Sequence, residues 1–369
     1  MLVTDREKLK DYASDRRIWQ GIPGVERTAA GRMFACFYSG EETEMMGNYA
    51  ALIMSDDGEH FSEPIAVADV GKDSRAFDSA LWIDPLGRLW FFWAVMPECR
   101  VEFAVCEQPD AEVLVWSDVR VLGHDIMINK PIVTTDGDWL FPVAVWEQGR
   151  VAGRGCVTDG LHETGAHVYR SRDKGESFEK IGTVCAKDRW YDEHMLIETR
   201  GGEIEMYVRT SYGIAKAVSK DGGCTWGEDA DSGFGGPNSR FYIGRLRSGR
   251  VLLVNHVDFT GRNNLTALLS DDDGATFPHR LLIDGRDNVS YPDVCEDAEG
   301  NLYIIYDRER GARYKKDVDY DAYAKEILMA KITEEDILAG RLVSPESKLR
   351  IVVSKLGRAE LTNSEKTIQ

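Results

Sequence analysis

Three short stretches do most to limit what this chain can fold into: SRDKGESF from Ser171, SKDGGCTW from Ser219 and SDDDGATF from Ser270. A shorter cousin, SDDGEHF, starts at Ser55. Glycine permits the positive backbone torsion of a tight turn. The Asp and Ser side chains bond the turn's own amides, and the aromatic packs back between sheets. The box is therefore a turn staple, and its Asp residues are not expected to be catalytic or calcium-binding. The full boxes start 48 and 51 residues apart, and Ser55 precedes Ser171 by 116, about two such steps plus an insertion. A degenerate block, FAVCEQPDAEVLVWSD (103–118), falls in that gap.

Between the boxes run GRMFACFYSG, GRLWFFWAVM, DWLFPVAVW, GEIEMYVRT, GRVLLVNHV and GNLYIIYD. Each opens on a turn signal and continues as a short strand. Helical periodicity is confined to the first dozen residues and to ITEEDILAG. A period near 50 with four short strands per unit is the pattern of propeller blades, none of which can bury its faces alone. The 369 residues hold six or seven such units. We expect an all-β, six-bladed β-propeller with four antiparallel strands per blade. No linker or composition shift divides the chain, so one domain is expected over 1–369. A short lead-in spans about 1–15 and a tail about 356–369.

Hydrophobic content of 43% leaves material for a large core, and the net charge is −18. That charge disfavours nucleic acid and anionic membranes as partners, since like charges repel at long range. It leaves room for an acidic small substrate held by a local cluster of Arg. The start has no apolar core of a signal peptide, and no run is long enough to span a membrane. The seven cysteines (Cys36, Cys99, Cys106, Cys156, Cys185, Cys224, Cys295) are scattered, without a CxxC pair, and read as free thiols. These features predict a soluble cytoplasmic protein with no metal and no cofactor. Walker, dinucleotide and HExxH motifs are missing from the sequence.

Boxes at blade spacing resemble the Asp-box repeats of the sialidase superfamily, six-bladed propellers that act on sugars at one end of their axis. Lectins and receptors share the boxes, so activity has to rest on other positions. Sialidases use a Tyr nucleophile activated by a Glu, three Arg that grip the sugar's carboxylate, and an Asp as general acid. A neutral Tyr suits a carbon next to a carboxylate, where an anionic nucleophile would be repelled, and Arg forks pair with carboxylates in bidentate fashion. The stretch YDEHMLIETRGGEIEMYVRT (191–210) looks like the family's segment from activating Glu to second Arg, which assigns Glu193 and Arg209. TGRNNLTALLSDDDG (260–274) assigns Arg262 as the third Arg. NVSYPDVCEDAEGNLYIIYDRER (288–310) assigns Tyr291 as nucleophile and Asp307 as the acid supporting the first Arg. The match covers about 190–310. The N-terminal half departs from the pattern: in WQGIPGVE, Gly21 stands where the family has its first Arg, with Arg16 and Arg17 out of register. The loop SGEETEMMGNY offers Glu41, Glu42 and Glu44 in place of the acid Asp, and Glu44 is taken as the catalytic candidate.

Polar residues at strand starts facing the axis are further candidates. They are Gln20 with Trp19 in the first unit, Arg75 and Asp78 in the second, and Asn129 and Lys130 before a Pro-led apolar run. Arg75 with Asp78 can equally be a structural salt bridge, and Asn129 with Lys130 a turn. Lys130 or Arg75 is the expected source of the cation that Gly21 lacks. His194 beside Glu193, and His256 ahead of Arg262, are candidates for acid/base work or structural residues. Arg240 is a further anion contact. Trp19, Trp82, Trp190 and Tyr191 are read as blade core or as faces for sugar stacking. The charged stretch 308–326 reads as a solvated excursion, a lid or an oligomer contact, so a homo-oligomer stays open. Three readings follow for a carbohydrate partner. The first is an exo-acting, sialidase-type glycosidase on a carboxylated sugar. The second is a uronate lyase or rhamnosidase-like enzyme using His194 or His256. The third is a glycan-binding propeller without catalysis.

Overall fold

The computed structural model describes residues 1–40, 43–124, 126–147, 163–310 and 324–356. Cys156, Glu41, Glu42, most of the charged stretch and nearly all of the tail lie outside these residues.

The strands form six antiparallel sheets, each built from consecutive strands and stepped outward from the axis. The innermost strands are Trp19–Arg27, Arg75–Ile83, Ile132–Val133, Met195–Glu198, Tyr242–Arg245 and Val289–Glu296, and they define blades one to six. The architecture is the six-bladed propeller expected from the repeat. Blade one carries a fifth strand, Leu2–Val3, on its outer edge, so the lead-in is part strand and part helix (Arg6–Leu9). ITEEDILAG forms the helix Glu334–Ala339, with Thr333 and Asp336 as a reciprocal capping box. The degenerate block at 103–118 holds the end of blade two's third strand, Arg100–Cys106, and the connection to its fourth, Arg120–His124, with a bridge between Cys106 and Trp116.

The boxes close the turn from third to fourth strand in blades one, three, four and five. In blade four, Ser219 Oγ accepts from the Gly223 amide at 2.8 Å and donates to Asp221 at 2.8 Å. Asp221 in turn accepts from the amide and hydroxyl of Thr225. Aromatic side chains fill the space between blades; Trp82 meets Trp139 edge-on at 4.8 Å, joining blades two and three. Trp19 and Trp82 are buried core, as one of the two readings had it.

Blades one, two and six share a device that matters below. Each innermost strand slips register by a bulge: between Gly21 and Gly24, between Phe77 and Ala80, and between Ser290 and Asp293. The first bulged residue has positive φ in all three: Ile22 at 59°, Asp78 at 44° and Tyr291 at 57°. Such a torsion is strained for a side chain with a Cβ, and it re-aims that side chain relative to the pleat.

The ring closes between blades one and six without exchanging a strand. Ile22 N donates to Asp307, Val25 N to Asp293, and the Gln20 amide to Lys325 O, all at 2.8–2.9 Å.

Candidate active site

Tyr291, Glu193 and Arg209 meet in one buried cluster, although 98 residues separate the phenol from the carboxylate. Tyr291 Oη donates to Glu193 Oε1 at 2.8 Å and accepts from Arg209 Nη1 at 3.0 Å, while Arg209 pairs with Glu193 at 2.7 Å. The three come from separate places: the bulge of blade six, the loop entering blade four, and that blade's second strand, Ile204–Thr210. The entering loop turns sharply, with positive φ at Tyr191 and Asp192. Burial and the charge on Glu193 push the Tyr291 phenol up, against three nearby guanidinium groups, so it rests protonated. Glu193 Oε2 is buried with no hydrogen-bond partner among the described residues.

Arg262 lies on the loop after the strand Val251–His256, and its guanidinium carbon is 5.3 Å from the Tyr291 ring centre. Its Nη2 donates to Asn238 O at 3.2 Å. Arg209 uses the same residue, bonding Asn238 Oδ1 at 2.7 Å and its carbonyl at 3.0 Å. Asn238 thus holds both forks, a role the sequence reading missed. Its setting in GGPNSR, a Gly/Pro turn before a strand, was the available signal. Arg262 has no carboxylate within ion-pair distance among the described residues. Burial, together with Arg310 and Arg209, lowers its pKa.

Arg310 was also missed. Its guanidinium carbon sits 4.4 Å from the Tyr291 ring centre. It pairs with Asp307 at 3.1 Å and with Glu44 at 3.5 Å. Asp307 therefore does support a cation, and it is tied down by Ser290 and the Ile22 amide. A Cβ on residue 21 would fall 2.6 Å from Arg310 Cδ and 3.2 Å from Asp307 Oδ2. The space beside Gly21 is filled by Arg310 and not, as expected, by Lys130 or Arg75.

Tyr38, Arg75, Asp78 and Glu44 lie next to this cluster, Glu44 through its pair with Arg310. Arg75 is buried over the Phe77 ring at 3.9 Å, and its Nε has no hydrogen-bond partner among the described residues. The alternative of an Arg75–Asp78 salt bridge does not hold: no ion pair joins them. The Asp78 carboxyl is pushed up to about 7, chiefly by burial, with Glu193 and Glu44 adding and Arg75 opposing. The Tyr38 hydroxyl is likewise buried and unbonded among the described residues.

Several other candidates sit elsewhere. Gln20 spends its amide on Lys325 O and Ser354, closing blade one on blade six. Lys130 Nζ bonds Glu26, Val25 O and Val294 O and lies 3.3 Å from Asp293. Arg240 bonds Asn129, Ile128 O and Pro23 O and lies 3.5 Å from Asp293; Asn129 passes the chain on to His194 O. Asn129, Lys130 and Arg240 together plug the axis deeper along the same strands. Strand-start position told the sequence reading that they lie near the axis, but not at which depth. Both ring nitrogens of His194 face backbone carbonyls, Asp192 O and His167 O, which leaves none for a substrate. His256 bonds Asn263 O, and burial lowers its pKa to about 4. Tyr191 stays near the cluster, its ring 5.2 Å from the Arg209 guanidinium carbon. No group of three or more His, Cys, Asp and Glu among the described residues is placed to hold a metal ion. No helix among them is long and apolar enough to cross a membrane.

The family model of the BNR repeat-like domain matches residues 80–304. The chain belongs to this family. No curated protein matches the BNR repeat-like chain in sequence. Among solved structures it is similar to the intramolecular trans-sialidase from Ruminococcus gnavus, with TM-score 0.66, 13% identity, and coverage of 91% of this chain and 98% of that one. The leech intramolecular trans-sialidase gives TM-score 0.67 at 13% identity, covering 89% and 70%. The NanB sialidase from Streptococcus pneumoniae gives 0.62 at 13%, covering 82% and 67%. At such identities the likeness establishes a sialidase-like BNR propeller as the fold.

Proposed function

We propose that this protein is an exo-acting glycosidase of sialidase type, working on a sugar with a carboxylate on the carbon under attack. One observation carries the reading: Tyr291 is hydrogen-bonded to Glu193 while Arg262, without a carboxylate partner among the described residues, stands over the same ring. A desolvated cation with no counter-ion favours binding an anion there. Arg209 and Arg262 hold the carboxylate against the phenol. Tyr291 Oη attacks the anomeric carbon as its proton passes to Glu193 Oε1, and Arg209 Nη1 stabilises the oxygen as it loses that proton. The bond to the leaving oxygen breaks, and that oxygen takes a proton from one of two nearby carboxyl groups: Asp78, whose pKa is pushed up to about 7, or Glu44 once the substrate carboxylate has displaced it from Arg310. Water then releases the sugar from Tyr291. The sialidases and trans-sialidases of like fold support the same class of chemistry. A histidine-assisted lyase or rhamnosidase loses His194, which is fully bonded to backbone, and rests on His256 alone, whose Nε2 is unbonded among the described residues; His256→Ala tests it, since full activity there excludes that reading.

The test is turnover of a fluorogenic sialoside. Tyr291→Phe should lower kcat about 10³-fold with an unchanged melting temperature. Undiminished turnover in that variant would overturn the reading, and an ultraviolet-absorbing unsaturated product would select a lyase.

A further inference from the structure

The grip described so far has two guanidinium groups, Arg209 and Arg262, and one of them is committed to Glu193. We propose that Arg310 is the third cation of the carboxylate grip, delivered from blade six across the ring closure into the space that Gly21 leaves open. The inference rests on the reading above and adds a specificity residue to it.

Four features of the structure converge on this position. Arg310 and Arg262 stand at the same phenol, 4.4 and 5.3 Å from its ring centre, so both lie beside the ring whose oxygen would attack. The Arg310 side chain is only 15% exposed. Its path runs through the volume a residue-21 side chain would need, since even a methyl group there would fall 2.6 Å from its Cδ. Its orientation is fixed by Asp307, which the Ser290 hydroxyl and the Ile22 amide hold in turn. Burial works against the charge on Arg310, but Asp307 and Glu44 outweigh it and keep the group charged.

The two carboxylates on Arg310 are unequal. Asp307 sits at hydrogen-bond distance, 3.1 Å, on Nη1, whereas Glu44 lies 3.5 Å from Nη2. Asp307 is the permanent support. Glu44 occupies the fork's open side, where an incoming carboxylate would compete with it. Binding of the acid group therefore displaces Glu44 from Arg310, and removing the Glu44 charge should tighten binding.

The experiment measures affinity by calorimetry for N-acetylneuraminic acid and glucuronic acid, each against its methyl ester. The acid-to-ester ratio isolates the carboxylate from the rest of the sugar. The wild type should prefer one of the acids by about 100-fold, and Arg310→Met should cut that ratio about tenfold with ester binding kept. Arg262→Met serves as the comparison and should also cut it. Glu44→Gln should raise acid affinity a few-fold. Gly21→Arg alone should lower the melting temperature because Arg310 holds the space, whereas Gly21→Arg combined with Arg310→Gly should regain part of the ratio. If Arg310→Met keeps the full ratio while Arg262→Met loses it, Arg310 only braces Asp307 and this inference falls alone. If the wild type binds acids and esters equally, the carboxylated-sugar reading falls and takes the grip with it.

Discussion

Two buried ionic clusters lie along the axis of this propeller, and they are wired differently. The deeper one joins Lys130 and Arg240 to Glu26 and Asp293. Lys130 Nζ has three hydrogen bonds, and the Arg240 fork bonds Asn129, Pro23 O and Ile128 O. The upper one, around Tyr291, leaves Glu193 Oε2, Arg75 Nε and the Tyr38 hydroxyl unbonded among the described residues, with Arg262 lacking a carboxylate; in the deeper one Asp293 Oδ1 is also unbonded, but both of its carboxylates keep a cation within 3.5 Å. Desolvating charge without full compensation is unfavourable, so a chain retains it where a ligand completes the set. Buried charge alone therefore does not mark a site, and neither does an unbonded atom, since Arg17, Arg170 and Asp293 leave such atoms too; what sets the upper cluster apart is a desolvated guanidinium, Arg262, without a carboxylate among the described residues, beside a hydrogen-bonded phenol and carboxylate.

The comparison is broken most sharply by Lys130→Met. It strands Glu26 and Asp293 and should destabilise the fold by about 3–5 kcal/mol in urea denaturation. Sugar affinity of the remaining folded protein should stay the same. Arg262→Met is the mirror experiment. It should raise KM for a sialoside about 10–100-fold, with kcat less affected and the urea midpoint unchanged or higher. A loss of stability like that of Lys130→Met would place Arg262 in the structural class.

Asp78 sharpens the contrast through pH. Its folded carboxyl titrates near 7, above the unfolded value of about 3.9, so the folded state binds the proton more tightly. Its contribution to stability is present at low pH and is lost as pH rises from about 4 to 7. Asp78→Asn should therefore be more stable than wild type above pH 7, by about 4 kcal/mol, and equal to it well below pH 4. If Asp78 is the proton donor, the fall in kcat above pH 7 disappears in that variant along with most of the activity. If Glu44 is, the fall remains. The smallest effect belongs to a part of the molecule with neither cluster. Ser219→Ala removes one turn bond and should lower stability by about 1 kcal/mol, with kinetics untouched.

The fold was legible from local spacing, because boxes recur where each blade needs the same turn. Tyr291, Glu193, Arg209 and Arg262 were named only by the resemblance of their segments to those of the sialidase superfamily; local pattern alone does not bring them together. What was hidden depends on closure and depth. Arg310 reaches Gly21 only because blade six lies beside blade one, a neighbourhood no local pattern encodes. Lys130, Asn129, Arg240 and Gln20 read as mouth residues because a polar residue before a strand reveals proximity to the axis but not height along it. The bulges that turn Tyr291 and Asp78 inward carry no common residue signature; the first bulged positions are Ile, Asp and Tyr.

The join between the first and last blades relies on contacts such as Gln20 to Lys325 and Ile22 to Asp307, with no strand handed across. The phenol and Arg310 stand on that same join. A ribosome making this chain thus adds the Tyr291 phenol late, and a nascent polypeptide can assemble the pocket only when its last blade swings back against its first. If Tyr291 acts as proposed, catalytic competence and completion of the circle become one event, and any partly synthesised product is born inert.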